Sequence, residues 1–269
     1  MKKGIRKTLS ITMILAIIFQ MLIPIIPELN IEVLAADETS ENTEEISRDY
    51  EIKEEETWDV SANGDRSVIA KWTLSNRTLT ISGTGKMKDW SSNTEEDWHY
   101  TQYTNFIETV IIEEGITNIG NYAFRGCSSL ESITIPESVT SIEMDAFRRC
   151  SSLESITIPE GVTSIIGYAF YGCSSLESIN VDENNKNYIS EDGVLFNKNK
   201  TEIICYPTGK KDIKEYNIPE SVTRIGSTAF SECSSLESIT IPERVTEIGM
   251  VAFYGCSSLE NINIPEGVT

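Results

Sequence analysis

The sequence predicts a mostly-β α/β repeat solenoid, and three observations predict it. The stretch from Leu130 to Ser152, LESITIPESVTSIEMDAFRRCSS, returns at Leu153 to Ser175 as LESITIPEGVTSIIGYAFYGCSS and at Leu236 to Ser258 as LESITIPERVTEIGMVAFYGCSS. Leu130 to Leu153 is a step of 23 residues without a gap, and a fixed period of this length marks a coil of stacked units. Inside each copy, apolar residues alternate and stop at a proline, which cannot donate to a sheet ladder and so closes a strand.

Within the first copy, Leu130, Ile133 and Ile135 form the strand that ends at Pro136, and Val139 and Ile142 mark a second short extended segment. Ala146, Phe147 and Cys150 follow at the spacing of one short helical turn. Gly126, Gly172 and Gly255 stand where a left-handed residue ends such a turn. These seven apolar positions, Leu130, Ile133, Ile135, Val139, Ile142, Phe147 and Cys150, are the expected core. One copy is too short to bury them by itself, so each Leu, Ile and Phe must meet its equivalent above and below, with the strands paired in a parallel sheet.

Taken from its start, residues 1–36 read as an export signal. Lys2, Lys3, Arg6 and Lys7 precede an apolar core from Leu9 to Ile26, and Val33-Leu34-Ala35-Ala36 is a small-residue cleavage site. The apolar run is long enough to leave an uncleaved anchor as the alternative. Residues 37–57 hold ten acidic and two basic residues, the composition of a disordered acidic spacer. Residues 58–106 hold all four tryptophans, Trp58, Trp72, Trp90 and Trp98. Ala70, Trp72 and Leu74 alternate, Ser75-Asn76-Arg77 supplies a turn, and Leu79 and Ile81 alternate again, which predicts a hairpin. A solenoid end exposes an apolar face and a bare strand, and a β-rich N-terminal cap here covers both.

The repeats run over residues 107–269. The first copy, Ile107 to Ser129, puts Ile107, Val110, Ile112, Ile116 and Ile119 on the core and has Glu113 in place of the proline. A long unit at 176–212 delays the next core position to Ile213, 37 residues after Leu176 instead of 23. Its extra sequence predicts two strands, Val194 to Phe196 and Glu202 to Cys205, as a hairpin projecting from the coil. From Ile213 the period resumes until the chain stops at Thr269, eleven residues into an incomplete copy, which reads as a fragment.

The pattern LxxIxIPxxVTxIGxxAFxxCSS resembles the leucine-rich repeat of the BspA type, also called the Treponema pallidum type, of bacterial surface proteins. The resemblance implies a right-handed leucine-rich-repeat solenoid, and WTLSNRTLTISGTGKM is similar to the cap that precedes such repeats. It implies a secreted or cell-surface protein that mediates protein binding or adhesion, with an extracellular protein or matrix ligand as partner.

The six cysteines allow disulfides in an exported chain. Five of them, Cys127, Cys150, Cys173, Cys233 and Cys256, share one column among Phe, Leu and Ile, so buried thiols are expected. The net charge of -20 argues against nucleic acid or an anionic membrane as partner once the signal is cleaved. His99 is the only histidine. With no second histidine and no fixed Asp partner in view, a triad nucleophile is not predicted, and no catalytic, cofactor or metal residue is assigned. Asp182, Glu183, Asn184 and Asp192 do not fit the spacing of a calcium loop.

Between the core positions of the main strand lie outward ones, and these form the candidate binding face: Glu131, Ser132, Thr134, Glu154, Ser155, Thr157, Glu237, Ser238 and Thr240. A solvated surface is the plain reading of this acidic, hydroxyl-rich platform, and a dock for a basic protein or a cation is the functional one. Two alternatives stand beside adhesion. One is an exported enzyme whose catalytic or anchoring domain lies beyond Thr269. The other is glycan binding through Trp90, Trp98, His99, Tyr100 and Tyr103, whose rings suit half-wet contacts.

Overall fold

The structure, a computed structural model, describes residues 52–91 and 103–268. Each turn of the coil lays down a main strand, a second strand and a corner of tight turns. The main strands Thr109–Ile112 and Ser132–Thr134 pair in parallel, as do Ser155–Ile158 with Ser178–Val181, and Glu215–Asn217 with Ser238–Thr240 and Asn261–Ile262. Registers such as Ser155↔Ser178 and Ile156↔Ile179 are the repeat period itself. Side chains alternate across a strand, so Ile156 and Ile158 point inward and are 2% and 0% exposed. Ile133 and Ile135 are only half-buried, because the main sheet breaks after Ser132–Thr134 and no ladder joins it to Ser155–Ile158. The second strands Ile116–Ile119, Ser141–Ile142 and Ser164–Ile165 carry the stack across that break.

The cap supplies a rung to each sheet. Val68–Thr73 and Thr78–Gly83 form an antiparallel hairpin with Ala70 opposite Ile81 and Trp72 opposite Leu79. Thr78–Gly83 then pairs in parallel with Thr109–Ile112, and Gly85–Lys86 pairs with Ile116–Ile119. Gly83 is obligatory, since at its φ of 116° a Cβ would stand 2.0 Å from the Ser67 carbonyl oxygen. Within the stretch read as an acidic spacer, Glu55 to Thr57 already belong to the strand Glu55–Asp59, paired with Val68–Thr73. The buried Trp58 indole anchors that strand, and local charge density gives no hint of such an anchor.

The corners are not helical turns, and the described residues contain no α-helix. Asp145 and Arg149 both have left-handed backbones, φ 57° and 62°, which an α-helix cannot accommodate twice in five residues. The corner is instead a run of reverse turns: the Arg148 N–H donates to the Asp145 carbonyl and the Cys150 N–H to that of Phe147. Alternate N–H groups point up the stack, Phe124 donating to Ala146, Phe147 to Ala169 and Phe230 to Ala252. The corners thus make a third ladder.

Two columns of side chains fill the core behind it. Phe124, Phe147 and Phe170 stack with centroids 5.6 and 5.9 Å apart, contacts worth about 0.5–1.5 kcal/mol each beyond their area. Beside them, three thiols are spent on the turn below: Cys150 Sγ donates to the Phe124 carbonyl, Cys173 to Phe147 and Cys256 to Phe230, all at 3.1 Å. All six cysteines are free thiols. Burial pushes the thiols of Cys150 and Cys233 well up and that of Cys205 up to about 12.

The long unit does not project. Tyr188–Glu191, Val194–Asn197 and Glu202–Cys205 form an antiparallel meander, and its last strand pairs in parallel with Arg224–Ile225. The meander is woven into the second sheet because its two faces close two separate cores, Leu195 against the N-terminal one and Val194 and Phe196 against the C-terminal one. The main sheet pays for this with an interruption between Ser178–Val181 and Glu215–Asn217. Ile213, expected in the core, is 43% exposed there, since no main strand lies beneath it.

Asn185, 0% exposed, joins the start of the meander to the turn before it. Its Nδ2 donates to the carbonyls of Pro159 and Val162 at 2.7 and 3.0 Å. Its Oδ1 accepts from the N–H groups of Asn187 and Tyr188. The Tyr188 hydroxyl accepts from the Ile165 N–H at 2.9 Å, in the place of a missing strand.

Replacing Asn185 by Ala leaves several buried backbone groups unpaired at about 1–3 kcal/mol each, so urea unfolding is expected to show a loss of at least about 3 kcal/mol; a loss under about 1 kcal/mol would contradict this role. The raised thiols also set a pH dependence. Their contribution is fully present below the ordinary thiol value of 9.0 and is lost as pH rises toward about 12, the folded value of Cys205, because only the unfolded chain releases these protons there. In timed labelling with a disulfide reagent at neutral pH, the partly exposed Cys256 reacts first, while the buried Cys127 and Cys150 react only as the protein unfolds.

Candidate functional site

The outward side chains of the main strands are where the sequence pattern puts them. Glu131, Ser132, Thr134, Glu154, Ser155, Thr157, Glu237 and Thr240 are exposed and Ser238 is half-buried, while the residues between them line the core. Register aligns them into columns: Ser132 faces Thr109, with its Oγ 3.3 Å from Thr109 Oγ1, and Ser238 faces Glu215 on one side and Asn261 on the other.

The nine residues do not share one continuous sheet. The main sheet breaks between Ser132–Thr134 and Ser155–Ile158 and again at the woven long unit, so they fall into three patches, at Glu131 to Thr134, Glu154 to Thr157 and Glu237 to Thr240. Glu131, Glu154 and Glu177 recur at the same place in successive turns, Glu154 and Glu177 about one strand spacing apart, roughly 4.8 Å, where the Glu177 N–H donates to the Glu154 carbonyl, and the three make no ion pair among the described residues. The column ends in opposite charge on both sides. Glu108 pairs with Arg77, and the next segment has Lys214 at the same position, 3.7 Å from Glu237.

The acidic residues after the prolines do different work. Glu114 accepts from the Glu137 N–H at 3.2 Å, and Glu137 in turn accepts from the Gly161 N–H at 3.3 Å. These carboxylates tie one turn to the next and are spent on the scaffold.

Two other sequence candidates are placed by the structure. Asp182 Oδ1 accepts from the Asn184 N–H, a local turn, and among the described residues no cluster of three or more His, Cys, Asp or Glu could hold a metal ion. Of the aromatic platform, Trp98, His99 and Tyr100 lie outside the described residues. Trp90 and Tyr103 are 4% and 0% exposed. The Tyr103 ring packs against Trp58 and Trp72 with centroids 5.3 Å away in each case, and its hydroxyl donates to Glu56. Those two rings are cap core and offer no face to a sugar.

Sequence reasoning passed over the corner face. Arg125 lies over the Tyr122 ring at 5.4 Å and Arg148 over Tyr171 at 4.9 Å, with Met144 and Ile166 exposed nearby at 38% and 43%. The signal was present: these positions differ from copy to copy while Phe and Cys between them do not.

Residues 99–216 and 201–269 match, in six copies, the family model described as BspA type Leucine rich repeat region. Among solved structures, a leucine-rich repeat protein from Eubacterium ventriosum is 31% identical with a TM-score of 0.54, over 80% of this chain and 67% of that one. A leucine rich cell surface protein from Faecalibacterium prausnitzii is 33% identical with a TM-score of 0.52, over 61% of this chain and 49% of that one. The pneumococcal vaccine antigen PcpA, 20% identical with a TM-score of 0.55 over 75% of this chain and 69% of that one, shares the fold. The chain thus spans about two thirds of the first of these proteins and half of the second. No curated protein matches it.

Proposed function

The chain belongs to the BspA type leucine-rich repeat family, and on that premise we propose that it is an exported, surface-displayed binding protein whose main-sheet face docks a basic protein partner. One observation carries the reading. Glu131, Glu154 and Glu177 stand in an exposed column with no ion pair among the described residues, flanked by the Ser132, Ser155 and Ser178 hydroxyls. Like charges at that spacing repel weakly in water, so the column gains when a cationic surface covers it.

Export rests on the signal-like residues 1–36 and on the cell-surface description of the Faecalibacterium prausnitzii relative. Binding in place of catalysis rests on the makeup of this face, carboxylates and hydroxyls with no nucleophile and base brought together. Adhesion to extracellular protein or matrix is the role that fits such a face, and the hydroxyl columns supply its polar contacts.

Reversing the column with Glu131→Lys, Glu154→Lys and Glu177→Lys is expected to weaken binding to immobilised basic extracellular proteins by about tenfold or more and to flatten its salt dependence. Unchanged binding by a folded triple variant would remove the face from the function. Protease shaving of intact cells should release the repeats, and full protection of them would exclude surface display.

A further inference from the structure

The corner ladder stops above Tyr168 and Phe170. Phe124, Phe147 and Phe230 each donate an N–H to the corner above. Phe170 stands in the corresponding position one turn on and Tyr168 in that of Tyr122 and Thr228, which donate to the Met144 and Met250 carbonyls, yet among the described residues the N–H groups of Tyr168 and Phe170 meet no acceptor. The long unit displaces the next corner, where Cys205, Tyr206 and Pro207 stand, and Tyr206 donates its N–H onward to the Ala229 carbonyl at 2.7 Å.

A cavity of about 50 Å³ lies between the two corners. One wall is apolar, built by Ile166, Ala169, Leu176 and Ile204. The other carries the hydroxyls of Thr208, Thr228 and Ser231. These three donate to the carbonyls of Cys173, Ser227 and Val251 at 2.7, 2.6 and 2.5 Å, so their oxygens remain free to accept. Tyr206, 2% exposed, also lines the cavity. Its hydroxyl is buried with no hydrogen-bond partner among the described residues and is not counted among the cavity's polar groups.

We propose that this cavity binds the acetamido group of an N-acetylated amino sugar. A water needs about 10–15 Å³ of such space, so the cavity admits a group of about three or four heavy atoms. The unpaired N–H groups of Tyr168 and Phe170 call for an acceptor, the spent hydroxyls for a donor, and the Ile166, Leu176 and Ile204 wall for a methyl. The acetamido group carries all three and is neutral. An anion is opposed by Glu232, the hydrogen-bond partner of Tyr171, and by a net charge of -20. An ammonium ion offers nothing to the two N–H donors. Tyr168 and Tyr171, half-exposed with centroids 6.2 Å apart and planes at 59°, offer their rings to the apolar face of a pyranose. The site stands on the corner face and does not depend on the main-sheet reading.

Saturation-transfer NMR and calorimetric titration of the whole chain test it, with N-acetylglucosamine, N-acetylgalactosamine, glucosamine and N-acetyl-lysine amide as probes. The acetyl methyl of the two sugars should take the strongest saturation, and glucosamine should bind at least about tenfold more weakly because the donors are left unpaired. Ser227→Leu, which plugs the cavity, should abolish the signal. Tyr168→Asn, a residue that tolerates the left-handed backbone at that position, should weaken the sugars by about tenfold. Circular dichroism and thermal melting confirm that each variant is folded. Glucosamine binding as tightly as its acetylated form, or no methyl saturation from either sugar, overturns the site. N-acetyl-lysine amide binding as well as the sugars, with both indifferent to Tyr168→Asn, overturns the sugar assignment.

Discussion

No turn of this coil can satisfy its own groups. The Phe147 ring needs Phe124 below and Phe170 above, its N–H needs the Ala169 carbonyl, and its carbonyl takes the thiol proton of Cys173. The reverse turns meet some backbone demands within a turn, but the ring stack, the sheet ladders and the thiol bonds all run between turns, so much of the stability is carried between rungs. The cysteine column follows from this constraint: a small apolar side chain fits behind the phenylalanine, and only cysteine adds a proton for the carbonyl left facing the core.

The same constraint explains where the coil is modified. The cap must present edges that the first repeat can continue, which it does with Thr78–Gly83 and Gly85–Lys86. The long unit must close one core and open another, so its middle strand carries Leu195 on one face and Val194 and Phe196 on the other. Where a backbone partner is missing, a side chain stands in. Asn185 and the Tyr188 hydroxyl do for the neighbouring turn what a strand does elsewhere.

Much of this was legible in the sequence because identity at a fixed step leaves one arrangement for Leu, Phe and Cys. The outward columns followed from the same alternation, and so did the cap hairpin from Ala70, Trp72, Leu79 and Ile81. The corner geometry was not legible: Ala146, Phe147 and Cys150 have helical spacing, and only the left-handed backbones of Asp145 and Arg149, which ordinary residues rarely adopt, exclude it. The weaving of the long unit was hidden because Glu202–Cys205 finds its parallel partner at Arg224–Ile225, beyond the reach of a local pattern. Asn185 was hidden inside a polar run that reads as loop. The outward positions were legible residue by residue, but the breaks in the main sheet that divide them were not, since one of them depends on that same distant pairing.

The division of the interior at the meander also bears on how such a protein changes over generations. Because Leu195 seals one compartment and Phe196 the other, a copy gained or lost on one side leaves the opposite compartment intact. The meander therefore acts as a bulkhead, and the number of turns on either side of it is a quantity that selection can adjust without redesigning the hull.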